Sequence, residues 1–271
     1  MEIKFFCPHW GSKHLDLKLF LEKVKNAGYD GVEMSLPLGP KEKKEILEML
    51  GHYDLQLVAQ HWETLTGDFD AHKEEYRQRV ENLASARPLL VNSQTGKDYF
   101  SFEQNAELIK IAAEISQKYN IKIIHETHRG KFSFAAHVAA GYLKRIPTLR
   151  LTIDLSHWCA VAESYLDDQQ DAVKLVLSRA DHIHARVGFP EGPQIPDPRV
   201  PEWKEALDTH VGWWNEVVRR KQKEGESSFT ITPEFGPFPY MPVLPFTRQP
   251  ITDQWEVNVY MMNYLKSALN A

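Results

Sequence analysis

Eight short apolar runs alternate along this chain with longer stretches of helical period, and that alternation decides most of what the chain can become. The runs fall at roughly 3–8, 31–35, 55–61, 88–92, 121–126, 149–154, 181–186 and 228–234. The segments between them, such as HLDLKLFLEKVKNAG, keep one face apolar through Leu15, Leu19, Val24 and Ala27, the pattern of a helix laid against a sheet. Gly28 and Asn120 sit where helices should stop. Strands apolar on both faces and separated by helices imply a parallel sheet. Eight units favour closure into a (β/α)8 TIM barrel over an open doubly wound sheet, and no glycine-rich phosphate loop follows the first strand. At 271 residues the chain is close to the ~250 of one such barrel, so residues 1–271 read as one domain.

Composition narrows the function classes. A net charge of −5 lacks the basic excess that phosphate backbones attract, so no nucleic acid is expected as partner. No stretch approaches the ~18 apolar residues of a membrane span. The N-terminus, MEIKFFCPHWG, runs straight into a strand with no signal-peptide pattern. Two cysteines, Cys7 and Cys159, cannot build a disulfide framework and read as reduced thiols. The expectation is a cytoplasmic protein, with a homo-oligomer left open.

Four of the runs end in a metal-ligand side chain: Glu126, Asp154, His184 and Glu234, at the tips of IKIIHE, LRLTID, DHIH and FTITPE. Parallel strand ends converge in a barrel mouth. Two like charges ~4 Å apart repel by about 4 kcal/mol at an effective dielectric of 20. One divalent cation removes that cost. Three carboxylates and one imidazole suit Mn²⁺, Co²⁺ or Mg²⁺ better than a thiolate-seeking structural Zn²⁺, although Zn²⁺ remains compatible. Taken singly, each acid also reads as a helix cap or salt-bridge partner. The His125-Glu126-Thr127-His128 run is not the metalloprotease signature, which needs a helix and histidines four apart. His128 shares a strand face with Glu126 and is a candidate substrate contact.

Other rim positions carry weaker signals. His61 ends the third run and is expected to face inward with Ala59, as a proton shuttle, a second metal ligand or a hydrogen-bonded structural histidine. His9 and Trp10 follow the first strand, and Asn92 and Gln94 follow the fourth. They suit sugar recognition, or ordinary turn chemistry. Rim aromatics would pack on carbohydrate C–H faces. VGFPEGPQIPDPRVPEW and GPFPYMPVLPFTRQP leave strands 7 and 8 with too many prolines for helix. They read as a substrate-covering wall or lid, or as an oligomer contact.

IKIIHETHRG, TIDLSHW with its Asp-x-x-His, DHIHARVG with its His-x-His, and TPEFGP together resemble the xylose isomerase-like barrel superfamily. It includes sugar-phosphate isomerases and epimerases and the family 2 AP endonucleases. The resemblance covers nearly the whole chain. It implies that Glu126, Asp154, His184 and Glu234 bind one divalent ion and that His157 contacts a substrate oxygen. It further implies that Glu33, ending the second strand, contacts a hydroxyl or serves as a buried ion-pair partner. The arginine of related epimerases has no secure counterpart; Arg186 and Arg199 are the candidates for a hydroxyl, carboxylate or phosphate. The expected activity is a metal-dependent sugar or polyol isomerase or epimerase, with Glu126 and Glu234 moving the proton through a metal-stabilised enediolate. An inosose dehydratase-like lyase would use the same site, and a non-catalytic sugar-binding barrel is a further alternative. Endonuclease chemistry fits poorly, since strand 4 ends in Asn-Ser-Gln and the later loop offers Asp197-Pro-Arg199 rather than Asp-x-His.

Overall fold

The computed structural model describes residues 1–269. Its strands are β1 (Glu2–Pro8), β2 (Gly31–Met34), β3 (Gln56–His61), β4 (Leu90–Ser93), β5 (Ile123–Glu126), β6 (Leu151–Ile153), β7 (Ala180–His184) and β8 (Ser228–Thr232). They pair in parallel and in sequence order, with β8 returning to β1, so the sheet closes. The intervening helices are α1 (Leu17–Ala27), α2 (Pro40–His52), α3 (Phe69–Ser85), α4 (Phe102–Tyr119), α5 (Ala136–Arg145), α6 (Ser156–Ala162), α7 (Gln170–Leu177) and α8 (Lys204–Lys223), and α9 (Gln254–Ala268) follows β8. This is a single-domain (β/α)8 barrel.

Local chemistry places the turns as expected. Gly28 takes φ +84° after α1 and Asn120 φ 52° after α4, the left-handed conformations that end a helix cleanly. Ser101 caps α4 with a complete capping box, because Gln104 reaches back to the Ser101 N–H. That partner is easy to overlook when only glutamate is sought at the third position.

The main core lies between barrel wall and helices, while inside the barrel Phe6, Val58, Leu90 and Ile124 form a separate apolar plug. On the side of β6–β8 the same level is polar: His182 Nδ1 lies 2.7 Å from Thr230 Oγ1. The next inward positions toward the strand ends are Glu33, Gln60, Asn92, Glu126, Asp154, His184 and Glu234. Period-two alternation above an apolar plug thus points seven polar side chains into the barrel mouth at staggered heights, with Glu33 and Asn92 in register with the plug residues Val58 and Ile124.

The two proline-rich segments are packed. Gln194 of the first holds Gly236 of the second through bonds of 2.7 and 3.2 Å. Trp10 stacks so closely on Gly236 that a Cβ there would lie about 2.1 Å from its ring, so only glycine fits. Asn258 of α9 clamps both backbone polar groups of Phe235, at 2.8 and 3.0 Å. The segment carrying Glu234 is therefore fixed from both sides.

At the amino-terminal end of β7, Asp181 gathers Arg150 (2.6 and 3.0 Å), Lys221 (2.7 Å) and Lys122 (3.3 Å). Burial alone would raise its carboxyl pKa, but these cations hold it well below the usual range. A lowered folded-state pKa means the contribution is complete above the unfolded value of ~3.9 and is lost as pH falls below it. Asp181→Asn should cost about 1–3 kcal/mol at neutral pH, chiefly by taking the closest carboxylate from the buried Lys221 ammonium, which keeps only Glu224 and Glu226. Urea unfolding would check this, and the difference between variant and wild type should shrink in acid.

Candidate metal centre

His184 is the pivot of the site. It is fully buried at the end of β7. Its Nε2 lies 2.9 Å from Glu33 Oε1, so the proton belongs on Nε2 and is donated to Glu33. Glu33 is fixed for that task by Thr232 Oγ1, by Asn92 Nδ2 (3.0 Å) and by His182 Nε2 (3.2 Å). The lone pair of His184 Nδ1 then points the other way, 2.9 Å from Glu234 Oε2 and 3.5 Å from Glu126 Oε1. Neither contact has hydrogen-bonding geometry, and His184 Nδ1 and Glu126 Oε1 are both buried without a partner. An imidazole oriented by a carboxylate behind it, with its free nitrogen among carboxylates, is how proteins present histidine to a metal.

Glu126, Asp154, His184 and Glu234 each offer a ligand atom, all within 4.8 Å of one another. Their supports are local. Asp154 is fixed by Thr127, whose hydroxyl accepts the Asp154 N–H at 2.7 Å and donates to its carbonyl at 3.0 Å. Its Oδ1 also accepts from the Ser156 N–H and hydroxyl. Asn92 Nδ2 donates to Glu126 Oε2 at 3.2 Å, and Gln60 Nε2 donates to Glu234 Oε1 at 3.1 Å.

Charge makes the same point. Three carboxylates share this space with one guanidinium, Arg186, which pairs with Asp154 and lies 3.7 Å from Glu234. With His184 neutral, these groups leave two negative charges, and the ionised Glu33 beneath adds a third. A divalent cation would largely offset this excess of negative charge. Without such an ion, protons gather where positive charge is wanted. Burial pushes Asp154 up to about 6, against the pull of Arg186 and with the help of Glu234 and Glu126. Burial would lower His184, but the carboxylates of Glu234, Glu33 and Glu126 hold it well above its usual value. The residues present therefore fit a divalent ion.

A second grouping, Glu126, His128 and His157, is also compact. There, Arg186 donates to His157 Nε2 at 2.7 Å, which places the His157 proton on Nδ1. His157 is thus a hydrogen-bond donor rather than a metal ligand, and its Nδ1 is buried without a partner.

A cavity of about 540 Å³ opens above the centre. Its lining includes His9, Trp10, His128, Arg186 and Glu234, so these expected rim residues do converge. His157 lies just behind, its ring 3.9 Å from that of His128. Three expectations are now narrowed or corrected. Glu33 lies beneath the candidate metal centre as the buried ion-pair partner of His182 and His184, the second of the two roles expected for it, and it does not line the cavity. Asn92 Nδ2 likewise donates to Glu33 and Glu126. His61 faces outward: it bonds Ser93 (3.0 Å) and Thr64 (2.8 Å), and Tyr76 of α3 packs edge-on against it. Its neighbour Gln60 takes the inward place, opposite Asn92 in the sheet register. That pairing is a long-range fact which the local pattern of the run does not carry. Tyr240, over Arg186 at 4.7 Å, comes from an irregular loop and had no local signal either. Arg199 pairs with Asp197 and lies outside the cavity lining.

Residues 21–211 match the family profile of xylose isomerase-like TIM barrels, and the chain belongs to that family. No curated protein matches it in sequence. Among solved structures it resembles a D-tagatose 3-epimerase-like protein at TM-score 0.62 and 16% identity, covering 100% of this chain and 98% of that one. The probable 3-DHS dehydratase AsbF from Bacillus anthracis aligns at TM-score 0.61 and 15% identity, covering 98% and 99%. A xylose isomerase-like barrel protein from Mycobacterium smegmatis, in complex with magnesium, aligns at TM-score 0.64 and 11% identity, covering 98% and 97%. At such identities the likeness establishes the fold.

Calorimetric titration of metal-free protein with Mn²⁺ should show one site per chain. Glu33→Gln should weaken it ~10–100-fold although Glu33 touches no metal, because His184 loses its orienting carboxylate. Unchanged affinity in that variant would contradict the arrangement.

Proposed function

We propose that the protein is a divalent-metal-dependent isomerase or epimerase of a sugar or sugar-like polyol, working by proton transfer at a carbon beside a carbonyl. The observation that carries this reading is the pair of buried carboxylates, Glu126 and Glu234, beside the unpartnered His184 Nδ1, with Glu234 lining the cavity above. A divalent cation there would supply a Lewis acid that polarises the carbonyl and offsets the charge developing as the neighbouring C–H bond breaks.

The chain's own groups do the rest. One of Glu126 and Glu234 removes the carbon-bound proton, and the other returns one to the opposite face or to the adjacent carbon. Return to the opposite face gives epimerisation; return to the adjacent carbon gives isomerisation. Glu234 lines the cavity and is held by Gln60, so its carboxylate plane is set before substrate arrives. The Arg186 guanidinium, which lines the cavity and is held by Asp154 and His157, is a donor for substrate oxygens. Trp10 and Tyr240, packed edge to face at 5.0 Å, offer ring faces to the sugar's C–H groups.

The same first step followed by loss of a β-hydroxyl gives the lyase reading, which the likeness to a dehydratase supports. Phosphodiester cleavage with three zinc ions finds less support. His61 is turned out of the barrel and Asn92 is engaged below, so β3 and β4 offer no further histidine to the mouth.

A panel of ketoses, aldoses and keto-inositols incubated in deuterated water with Mn²⁺ should reveal a substrate that exchanges hydrogen at carbon. Glu234→Gln should abolish exchange and turnover while the fold persists. Retained exchange in that variant removes Glu234 from the chemistry, and bound metal without exchange for any substrate favours a binding protein. Loss of water from the product identifies the lyase.

A further inference from the structure

The cavity continues well beyond the metal centre. From Glu234, Arg186 and His128 it crosses the barrel mouth to the β2–α2 and β3–α3 connections. There its walls are Met34, Leu36, Pro37 and Ile46, with the Trp62 indole alongside. We infer that this distal chamber binds an apolar, ring-sized substituent, so that the substrate is a sugar or polyol carrying such a group, as an aryl glycoside does. The inference rests on the function proposed above for the class of substrate; the chamber itself stands on its own geometry.

Part of the polar lining at this end is engaged within the protein. Glu63 accepts the Ser35 hydroxyl and the Trp62 N–H (3.1 Å), and Arg79 is bonded to Glu75 at 2.9 Å with Glu63 3.7 Å away. Apart from these groups, Lys13 and Gln94, the wall toward α2 is side-chain carbon from Met34, Leu36, Pro37 and Ile46. A bare sugar extending here would bury hydroxyls against Met34, Leu36 and Ile46 without partners, at a free-energy cost. An apolar group meets no such cost and displaces water poorly held by these walls. The total volume of about 540 Å³ also exceeds what one sugar ring fills. Met34 and Leu36 are almost completely buried, which makes the wall rigid, while Trp62 is 36% exposed and open to stack on an incoming ring. Lys13 sits over the Trp62 ring at 4.7 Å, bounding the chamber on the solvent side.

The probe is 2-naphthol, titrated calorimetrically into Mn²⁺-treated protein, with Ile46→Asp and Trp62→Ala as variants. The expected result is one saturable site, weakened about tenfold or more in each variant, with Mn²⁺ affinity unchanged. Trp62→Ala, at a partly exposed position, keeps the test decisive should Ile46→Asp misfold. Absence of saturable naphthol binding, or equal binding by wild type and Trp62→Ala, overturns the inference. Failure of Mn²⁺ to bind instead removes the proposed function and leaves the naphthol result to decide the chamber alone.

Discussion

The hydrogen bond from His184 Nε2 to Glu33 orders everything around it. By fixing the proton on Nε2 it turns the Nδ1 lone pair toward Glu126 and Glu234. Thr232, Asn92 and His182 exist in this layer chiefly to keep Glu33 charged and in place: burial would raise its carboxyl, and His184 and His182 hold it well below the ordinary range. Removing any one of them leaves a buried charge or lone pair without a partner, which is expensive in a low-dielectric interior. The centre is therefore a two-storey network, with orientation set below and chemistry presented above.

The barrel serves this network by geometry. Parallel strands with two-residue alternation point one side chain from each of seven strands into the mouth around the Phe6, Val58, Leu90 and Ile124 plug, Glu33 and Asn92 lower than the rest. An apolar plug on one side and a polar one on the other lets the ionised layer rest on both packing and hydrogen bonds. The proline-rich segments add stiffness at the rim. They lock to each other through Gln194 and Gly236 and bring Tyr240 over Arg186. The first segment braces the second, and the second faces the cavity.

Much of this was legible in the sequence because the barrel's periodicity is written in hydrophobic runs. All eight strands fell where those runs lie, and the four candidate ligand positions are polar residues at the ends of the last four runs. What parity alone could not supply was the phase of a run that is apolar on both faces. In LQLVAQH either Gln60 or His61 could point inward, and the choice depends on pairing with β4, a long-range fact. Glu33 shows the complementary difficulty. Its position at a strand end was plain, but its task was set by two histidines on β7, distant in sequence. Tyr240 lies in a loop whose path follows from contacts with Trp10 and α9 rather than from local pattern.

The central claim is that a divalent cation belongs between His184 Nδ1 and the carboxylates of Glu126, Asp154 and Glu234. Crystals grown with Mn²⁺ and measured at the manganese absorption edge test it most directly. The account predicts one anomalous peak bonded to His184 Nδ1 and the three carboxylates, with Nε2 still on Glu33. A peak at Nε2, or none within this layer at full manganese saturation, would contradict it.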